Sequence, residues 1–327
     1  MRKPTVFIVG GAGFIGSHVN KMLHRKGYTT LVLDNLSRGH REAVRYGTFI
    51  EGDLSNQILL QNIFETYSID AVMHFAALID VGESIHQPAK YYLNNVGYTL
   101  NLLNIMLHHQ IKTFIFSSSA AIFGHPLMPL IKEDHPCQPI NPYGESKWMI
   151  EKILRDFGNA YDLKFCCLRY FNAAGGDPEG EIKNCQTKTS NLIPRILLSL
   201  KKPDNAITIY GTNYPTPDGT CIRDFIHLED LGAAHITAME KLLAGASSNC
   251  YNLGNGKGFS VREVIHAVEK VLNQKVSVRE GERRIGDPAI LLADSSKAAY
   301  ELNWHPCYSL QEMIEHAWKA YSNSKKI

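Results

Sequence analysis

The sequence lacks several features that would assign it to other classes of protein. Its 327 residues contain no run of about 20 apolar residues, the length of a membrane-spanning helix. Its seven cysteines include no Cys-x-x-Cys spacing suited to zinc. Lysines and arginines are scattered and the formal net charge is only +2, which does not indicate a nucleic-acid surface. We therefore expect a cytoplasmic protein with reduced thiols, no metal, and no membrane or nucleic-acid partner.

Short apolar runs alternate with amphipathic segments along the first half of the chain. The runs predict buried strands at residues 6–9, 30–33, 71–75, 113–116 and 165–168. The segments between them predict helices at about 15–25, 57–67, 89–109 and 144–161. This alternation predicts an α/β fold with a doubly wound, Rossmann-like parallel sheet.

The pattern changes after Asn172, where long polar loops surround a predicted helix at 192–200. We expect residues 1–172 to form the Rossmann domain, joined by a strand and helix at about 224–243. Residues 173–327 are then predicted to form a smaller C-terminal α/β domain that binds the substrate.

A glycine-rich turn, GGAGFIG at residues 10–16, follows the first predicted strand and leads into an amphipathic helix. Glycine permits a tight turn and lets a pyrophosphate approach the unpaired N–H groups at a helix N-terminus. The strand-turn-helix context therefore predicts a dinucleotide-binding site that includes Gly10, Gly13, Phe14, Ile15 and Gly16.

Asp34 ends the second predicted strand, at the spacing expected of a carboxylate that binds the adenosine ribose. Its charge would repel a 2′-phosphate, so NAD is the predicted cofactor, although nearby Arg38 keeps NADP open. Further cofactor contacts are expected after this and neighbouring strands, at Asn35, Asp53, Leu54, Phe75, Ala76 and Ala77.

Tyr143 and Lys147 are four residues apart and so lie on one face of a predicted helix. A free tyrosine has a pKa of about 10, so it needs a nearby positive charge to become a phenolate near neutral pH. Lys147 and an oxidised nicotinamide ring would supply that charge. Serines 117–119 end a predicted strand, from which Ser119 could reach the same substrate oxygen and Ser117 the cofactor. The pattern predicts Tyr143 as an acid/base catalyst assisted by Lys147 and Ser119.

Together, these residues in this order resemble the extended short-chain dehydrogenase/reductase family. Later segments are similar to the UDP-glucose 4-epimerase branch of that family. They are HFAA at 74–77, NNV at 94–96, SSSA at 117–120, RYFN at 169–172 and DGTCIRD at 218–224.

The resemblance implies roles for further residues and a mechanism. It places Asn95 and Tyr170 at the cofactor, and it assigns the UDP moiety to Asn172, Asn191, Leu192, Arg223, Arg284 and Asp287. Tyr143 would remove the proton of the sugar 4-hydroxyl while C4 gives a hydride to NAD, with Ser119 bonded to the same oxygen. The 4-keto sugar would then turn over and take the hydride back on its other face. The resemblance also implies a homodimer formed by the predicted helices at 89–109 and 144–161.

Other functions stay open at this stage. Leu291 lines up with a position where residue size governs acceptance of an N-acetyl group, so N-acetylated or acidic UDP-hexoses remain possible substrates. A 4,6-dehydratase or decarboxylase would begin with the same oxidation, although Ala120 and Ala121 replace the acidic pair typical of dehydratases. A protein that senses NAD without catalysis would need neither Tyr143 nor Lys147. Asp80 stands where some epimerases carry a basic residue and is left out of the site.

Overall fold

A computed structural model of the chain describes residues 3–183, 191–201, 206–284 and 287–322. The chain forms two compact units. The first comprises Met1–Gly124, Pro136–Arg169 and Gly232–Tyr251, and the second comprises His125–His135, Tyr170–Leu231 and Asn252–Ile327. Within the described ranges, every helix is too short or too polar to cross a lipid bilayer.

The first unit is built on a seven-stranded sheet. Its spatial order is β11 (Asn249–Leu253), β7 (Lys164–Tyr170), β5 (Thr113–Ser119), β4 (Ala71–His74), β1 (Thr5–Val9), β2 (Thr29–Asp34) and β3 (Thr48–Glu51). The pairs among β1 to β5 are parallel, and Val9 of β1 is in register with both Leu33 and His74. The carboxyl ends of these strands therefore lie at one edge of the sheet, which confirms the predicted α/β, doubly wound fold.

The helices of this unit bury apolar stripes against the sheet. They are α1 (Phe14–Arg25), α2 (Gln57–Thr66), α3 (Val81–His86), α4 (Pro88–Tyr91), α5 (Tyr98–His108) and α6 (Pro142–Tyr161). In α2, Leu60, Ile63 and Phe64 recur at helical spacing and are buried, and the Phe64 ring meets Phe7 of β1 edge to face at 5.5 Å. The helix therefore packs by its apolar face, as its sequence pattern predicts.

The second unit contains two smaller sheets. The larger has the order β12 (Gly258–Ser260), β10 (Ile222–His227), β14 (Ile290–Ala293) and β6 (Leu130–Ile131), and β8 (Asn172–Ala174) also pairs with β10. The smaller pairs β13 (Val278–Gly281) with β9 (Ile207–Tyr210). Its helices are α7 (Leu192–Ser199), α9 (Val261–Leu272), α10 (Ser296–Leu302) and α11 (Leu310–Ser322), while α8 (Leu228–Leu243) contributes residues to both units.

A buried carboxylate fixes the centre of the larger sheet. Asp224 of β10 is fully buried and accepts hydrogen bonds from the backbone N–H groups of Asn255, Gly256 and Ala293, at 2.7 to 3.0 Å. Burial raises the pKa of Asp224 to about 6, although these three hydrogen bonds oppose the shift. The interaction holds β10, and with it the neighbouring Arg223, against β14 and the loop after β11.

Two parts of the fold differ from the sequence-based prediction. The single helix predicted at 89–109 is three consecutive segments, because a π-helical stretch at Tyr92–Gly97 lies between α4 and α5. Strands β3 and β11, at the two edges of the large sheet, were not predicted. Thr48 and Glu51 of β3 are exposed and only Phe49 and Ile50 between them are partly buried, so the strand lacks the continuous apolar run of a buried strand.

The buried face of α2 can be tested by two truncations on the same helix. Leu60→Ala should lower the free energy of unfolding by about 3 kcal/mol, because it leaves a cavity at a position with 0% exposure. Ile58→Ala should change it by less than about 0.5 kcal/mol, since that side chain is 76% exposed. Urea denaturation followed by circular dichroism compares the two. Similar losses in both variants would contradict the assigned packing.

Candidate active site

The turn between β1 and α1 brings two glycines into close contact. The N–H of Gly10 donates to Leu33 O at 2.8 Å, and a β-carbon on Gly16 would lie only 2.4 Å from Gly10 O. Gly13 is the N-cap of α1, and no side chain caps the first turn of that helix. Phe14 and Ile15 begin the helix. The turn therefore presents a helix N-terminus of the kind that binds a diphosphate.

Asp34, the last residue of β2, is held beside this turn. Its carboxylate accepts the N–H of Ala12 at 2.9 Å and the N–H of Leu36 at 2.9 Å. Burial raises the pKa of Asp34, while these two hydrogen bonds and nearby His40 act in the opposite direction. The two backbone donors fix the carboxylate where the sequence predicts a contact to ribose.

A groove runs along the carboxyl ends of these strands. Nine residues predicted to bind the cofactor line it: Gly10, Gly13, Asp34, Asn35, Asp53, Leu54, Phe75, Ala76 and Ala77. Asp53 accepts a hydrogen bond from the Asn35 side chain, which ties two neighbouring strand ends together. Arg38 also lines the groove, and its guanidinium lies 3.6 Å from Glu83.

Asn95 lies behind the wall of this groove. It is fully buried, and its amide group accepts from Leu78 N at 2.9 Å and donates to Leu78 O and Ser146 Oγ, both at 3.0 Å. Leu78 itself lines the groove, as does Asn94, which the sequence analysis did not select. The structure therefore places Asn95 where it supports the loop after β4, and a direct contact to the cofactor stays a prediction.

Helix α6 begins in a way that presents Tyr143. The Asn141 side chain accepts the N–H of Gly144 at 2.8 Å, and Pro142 occupies the first turn. A β-carbon on Gly144 would lie 2.5 Å from Ala121 O, so glycine lets the helix approach the end of β5. Tyr143 and Ser119 are hydrogen-bonded there. The structure thus brings together two of the three predicted catalytic residues.

The third, Lys147, points at the end of the same strand. Its ammonium donates to Ser117 O at 2.8 Å and lies 4.8 Å from the centre of the Phe116 ring. Burial lowers the pKa of Lys147 to about 7, although Glu151 raises it. Buried His74 faces Lys147 from β4, and burial together with the lysine charge lowers the His74 pKa to about 3. His74 is therefore neutral near pH 7 and adds no second positive charge beside Lys147.

Burial also acts on Tyr143. It raises the pKa of the phenol, and the hydrogen bond with Ser119 lowers it. A phenolate at neutral pH therefore requires a positive charge close to Tyr143, and Lys147, one helical turn away, can supply it. This arrangement suits proton transfer to and from a hydroxyl group.

The second unit gathers several of the residues predicted to bind UDP. Arg223 donates to Pro288 O at 2.8 Å and lies 3.5 Å from the Asp287 carboxylate. Asp287 N in turn donates to Arg284 O at 3.3 Å. The Asn172 side chain donates to Asp224 O at 2.7 Å. Asn191 is the exposed N-cap of α7, and Leu192 begins that helix. Tyr170, predicted to contact the cofactor, is the last residue of β7.

Two residues near this group, Tyr210 and Arg195, were not predicted from the sequence. The guanidinium of Arg284 lies 4.0 Å from the centre of the Tyr210 ring, and Arg195 of α7 also bonds to the Tyr210 hydroxyl. These arginines lower the pKa of Tyr210, with Arg284 the largest cause. Neither residue belongs to a recognisable motif, because β9, α7 and the loop at 284 meet only after folding.

A parallel Rossmann-like sheet with a tyrosine, a lysine and a serine at its carboxyl edge defines the dinucleotide-dependent enzymes of the short-chain dehydrogenase/reductase kind. The sequence model of the NAD dependent epimerase/dehydratase family matches residues 6–254, and the chain belongs to that family. This membership confirms the predictions of the family resemblance and of NAD as cofactor.

Named relatives agree with this assignment. The chain is 48% identical over 314 residues to a UDP-glucose 4-epimerase of Halalkalibacterium halodurans, which covers 96% of this chain and 94% of that protein. The crystal structure of UDP-glucose 4-epimerase from Brucella ovis in complex with NAD has a TM-score of 0.94 and 44% identity, and covers 96% of this chain and 97% of that chain. The corresponding enzyme from Bifidobacterium longum, in complex with NAD⁺ and UDP, has a TM-score of 0.91 and 35% identity and covers 98% of each chain.

The groove of the first unit fits NAD by its own geometry. The α1 N-terminus can receive the diphosphate, and the close Gly10–Gly16 contact leaves no space for a side chain in the turn. The fixed Asp34 carboxylate can accept hydrogen bonds from ribose hydroxyls. These residues would therefore hold the cofactor.

Gly16→Ala tests the glycine turn. The added methyl group would meet Gly10 O, separate α1 from the turn and weaken NAD binding by at least about tenfold, or 1.4 kcal/mol. Calorimetric titration of cofactor-stripped protein measures the affinity. Gly82→Ala on exposed α3 is the control, since the nearest neighbour of its β-carbon is the Asp80 side chain at 3.4 Å. Unchanged NAD affinity in Gly16→Ala would contradict the assigned site.

Proposed function

We propose that the protein interconverts UDP-glucose and UDP-galactose by inverting the configuration at C4 of the hexose. The observation that carries this proposal is the hydrogen bond between Tyr143 and Ser119, with Lys147 one helical turn away on α6. When bound, NAD would accept a hydride from C4 and later return it. Family membership and the names of the relatives support the same reaction.

Tyr143 performs the proton steps of the proposed reaction. Its phenolate takes the proton of the sugar 4-hydroxyl as the C4 hydride departs, and the oxygen becomes the carbonyl of a 4-keto sugar. Ser119 donates a hydrogen bond to that oxygen, and the Lys147 ammonium stabilises the phenolate. When the hydride returns to the opposite face of C4, Tyr143 gives the proton back, so no net oxidation occurs.

The substrate is held by its nucleotide in this proposal. Arg223 and Arg284 provide forked donors for the diphosphate, and Asn172, Asn191, Leu192 and Asp287 contact the rest of the UDP moiety. Concentrating the contacts on UDP leaves the hexose free to turn over between the two hydride transfers. The smaller unit is thus the proposed nucleotide-sugar domain, and the larger one, with Asn95, is the proposed NAD domain. Tyr170, at the end of β7, is a further proposed cofactor contact.

Two structural features bear on the alternative substrates and reactions. Ala120 and Ala121 form a 3₁₀ turn directly after β5 and bring no carboxylate to the place where a dehydratase would need one. Leu291 of β14 is in register with Arg223 of β10, so it stands next to a proposed diphosphate contact. The size of Leu291 therefore matters for an N-acetyl group, and UDP-N-acetylglucosamine is the second substrate to test.

The assay that tests the function uses purified protein and UDP-galactose without added NAD. We expect UDP-glucose to form, because the regenerated cofactor need not leave, and chromatography measures it. Tyr143→Phe should lower kcat by about 10² to 10⁴-fold, the usual contribution of an acid/base group. Absence of conversion by the wild type even with NAD supplied would reject the function. Conversion of UDP-N-acetylglucosamine instead would change the substrate.

We also propose a cytoplasmic homodimer formed by the helical segments at 88–108 and 142–161. Leu93, in the π-helical stretch beside α4, is 57% exposed, and such an apolar side chain fits a helix-packing interface. The six cysteines in the described part of the chain form no disulfide with one another, which suits a reducing compartment.

Leu93→Glu tests the dimer. A buried, unpaired carboxylate opposes association, so the variant should be a monomer at a micromolar concentration where the wild type is a dimer. Light scattering coupled to size exclusion measures both masses. Ile58→Glu, on the exposed face of α2, should leave the mass unchanged. A monomeric wild type would count against the proposed interface.

A further inference from the structure

A buried ion pair between Glu151 and Arg169 lies next to the proposed catalytic residues. Glu151 is on α6, one turn after Lys147, and its side chain has 0% exposure. Arg169 of β7 holds both carboxylate oxygens, with Nη2 2.6 Å from Oε2 and Nε 3.0 Å from Oε1. The forked geometry fixes the Glu151 carboxylate in one position.

This carboxylate also holds the end of strand β5. Ser118 is 1% exposed and its hydroxyl donates to Glu151 Oε1 at 2.6 Å. Ser118 lies between Ser117, whose carbonyl accepts the Lys147 ammonium, and Ser119, which bonds to Tyr143. Side chains alternate along a strand, so Ser118 faces away from its two neighbours. The end of β5 and helix α6 are therefore connected by three interactions, and Glu151 makes one of them.

Stability alone does not account for such a pair. Replacing a buried ion pair by apolar residues is often neutral or stabilising, because the charges must be desolvated. A metal site is also a poor explanation, although Cys167 and Cys250 lie within 4.8 Å of the Glu151 oxygens. Arg169 already donates to both oxygens of this carboxylate, which leaves it poorly placed to bind a metal ion.

We propose that Glu151 is a positioning residue for the epimerisation reaction. Through Ser118 it fixes the end of β5, so that the Ser117 carbonyl and the Ser119 hydroxyl meet Lys147 and Tyr143 in reactive geometry. Its negative charge, one helical turn from Lys147, also favours the ammonium form of that buried side chain. The inference rests on the proposed function, because the reaction gives these contacts their purpose.

Among the residues that the structure describes, the charged and titratable groups around Lys147 come from its own helix and from two strands. Tyr143 and Glu151 lie on its own helix, neutral His74 comes from β4, and Arg169 of β7 stands behind Glu151. Burial lowers the pKa of Lys147, and Glu151 is the group that raises it. Loss of the Glu151 charge should therefore let Lys147 lose its proton at a lower pH.

The test compares holoenzymes by steady-state kinetics. Ser118→Ala removes the link to β5 and keeps the ion pair, so kcat should fall by about tenfold or more while KM stays within about twofold. Ser84→Ala is the matched control, because Ser84 is equally buried and its hydroxyl donates to Val81 O within α3. We expect wild-type kinetics from the control.

A second variant tests the charge. Glu151→Gln removes the negative charge and keeps an oxygen that can accept from the Ser118 hydroxyl. The alkaline limb of its kcat against pH should move to lower pH by roughly half a unit or more. Thermal unfolding of each variant reports folding separately.

The outcomes are distinct. Ser118→Ala with wild-type kcat, an equal loss in Ser84→Ala, or an alkaline limb that does not move would overturn the role of Glu151. A wild type that converts no UDP-galactose would instead reject the proposed function, and this inference with it.

Discussion

The contact between helix α6 and the carboxyl end of β5 is the constraint on which the site depends. It is made where Lys147 donates to Ser117 O at 2.8 Å and where Gly144 lets the helix approach Ala121. Burial at this contact opposes both charges that the chemistry needs, since it raises the pKa of Tyr143 and lowers that of Lys147. The Ser119 hydroxyl and the Glu151 carboxylate act against these shifts. Tyr143 and Lys147 therefore each depend on a neighbouring side chain to favour the charged form that burial opposes.

The two units divide the proposed work according to their chemistry. The first offers a helix N-terminus, a fixed carboxylate and a groove along the strand ends, which suit a dinucleotide. The second offers Arg223, held by a backbone carbonyl and a carboxylate, and Arg284, which lies over the Tyr210 ring, and guanidinium groups suit a diphosphate. Strong contacts to the nucleotide and weaker ones to the hexose are what a reaction requires if the sugar must expose both faces. The buried Asp224 fixes β10 and so keeps the neighbouring Arg223 in place.

Features encoded by local sequence were predictable, and features that depend on distant contacts were not. The glycine turn, Asp34 and the Tyr143–Lys147 spacing each lie within one strand-turn-helix or one helical turn, so their pattern is visible in a few residues. Strands β3 and β11 pair at the edges of the sheet and lack a continuous apolar run. Glu151 lies four residues after Lys147, a spacing that was available in the sequence. Its partners Ser118 and Arg169 come from other strands, so its role becomes visible only in the folded chain.

Titration of Tyr143 tests the central claim most directly. The ultraviolet absorbance of tyrosinate, taken as the difference between the NAD-loaded wild type and Tyr143→Phe, isolates this one phenol. We expect Tyr143 in the loaded protein to ionise with a pKa below the value of about 10 of free tyrosine, and we expect this pKa to rise when Lys147 is replaced by methionine. A Tyr143 that ionises above that value in the loaded wild type, or that ignores the loss of Lys147, would contradict it.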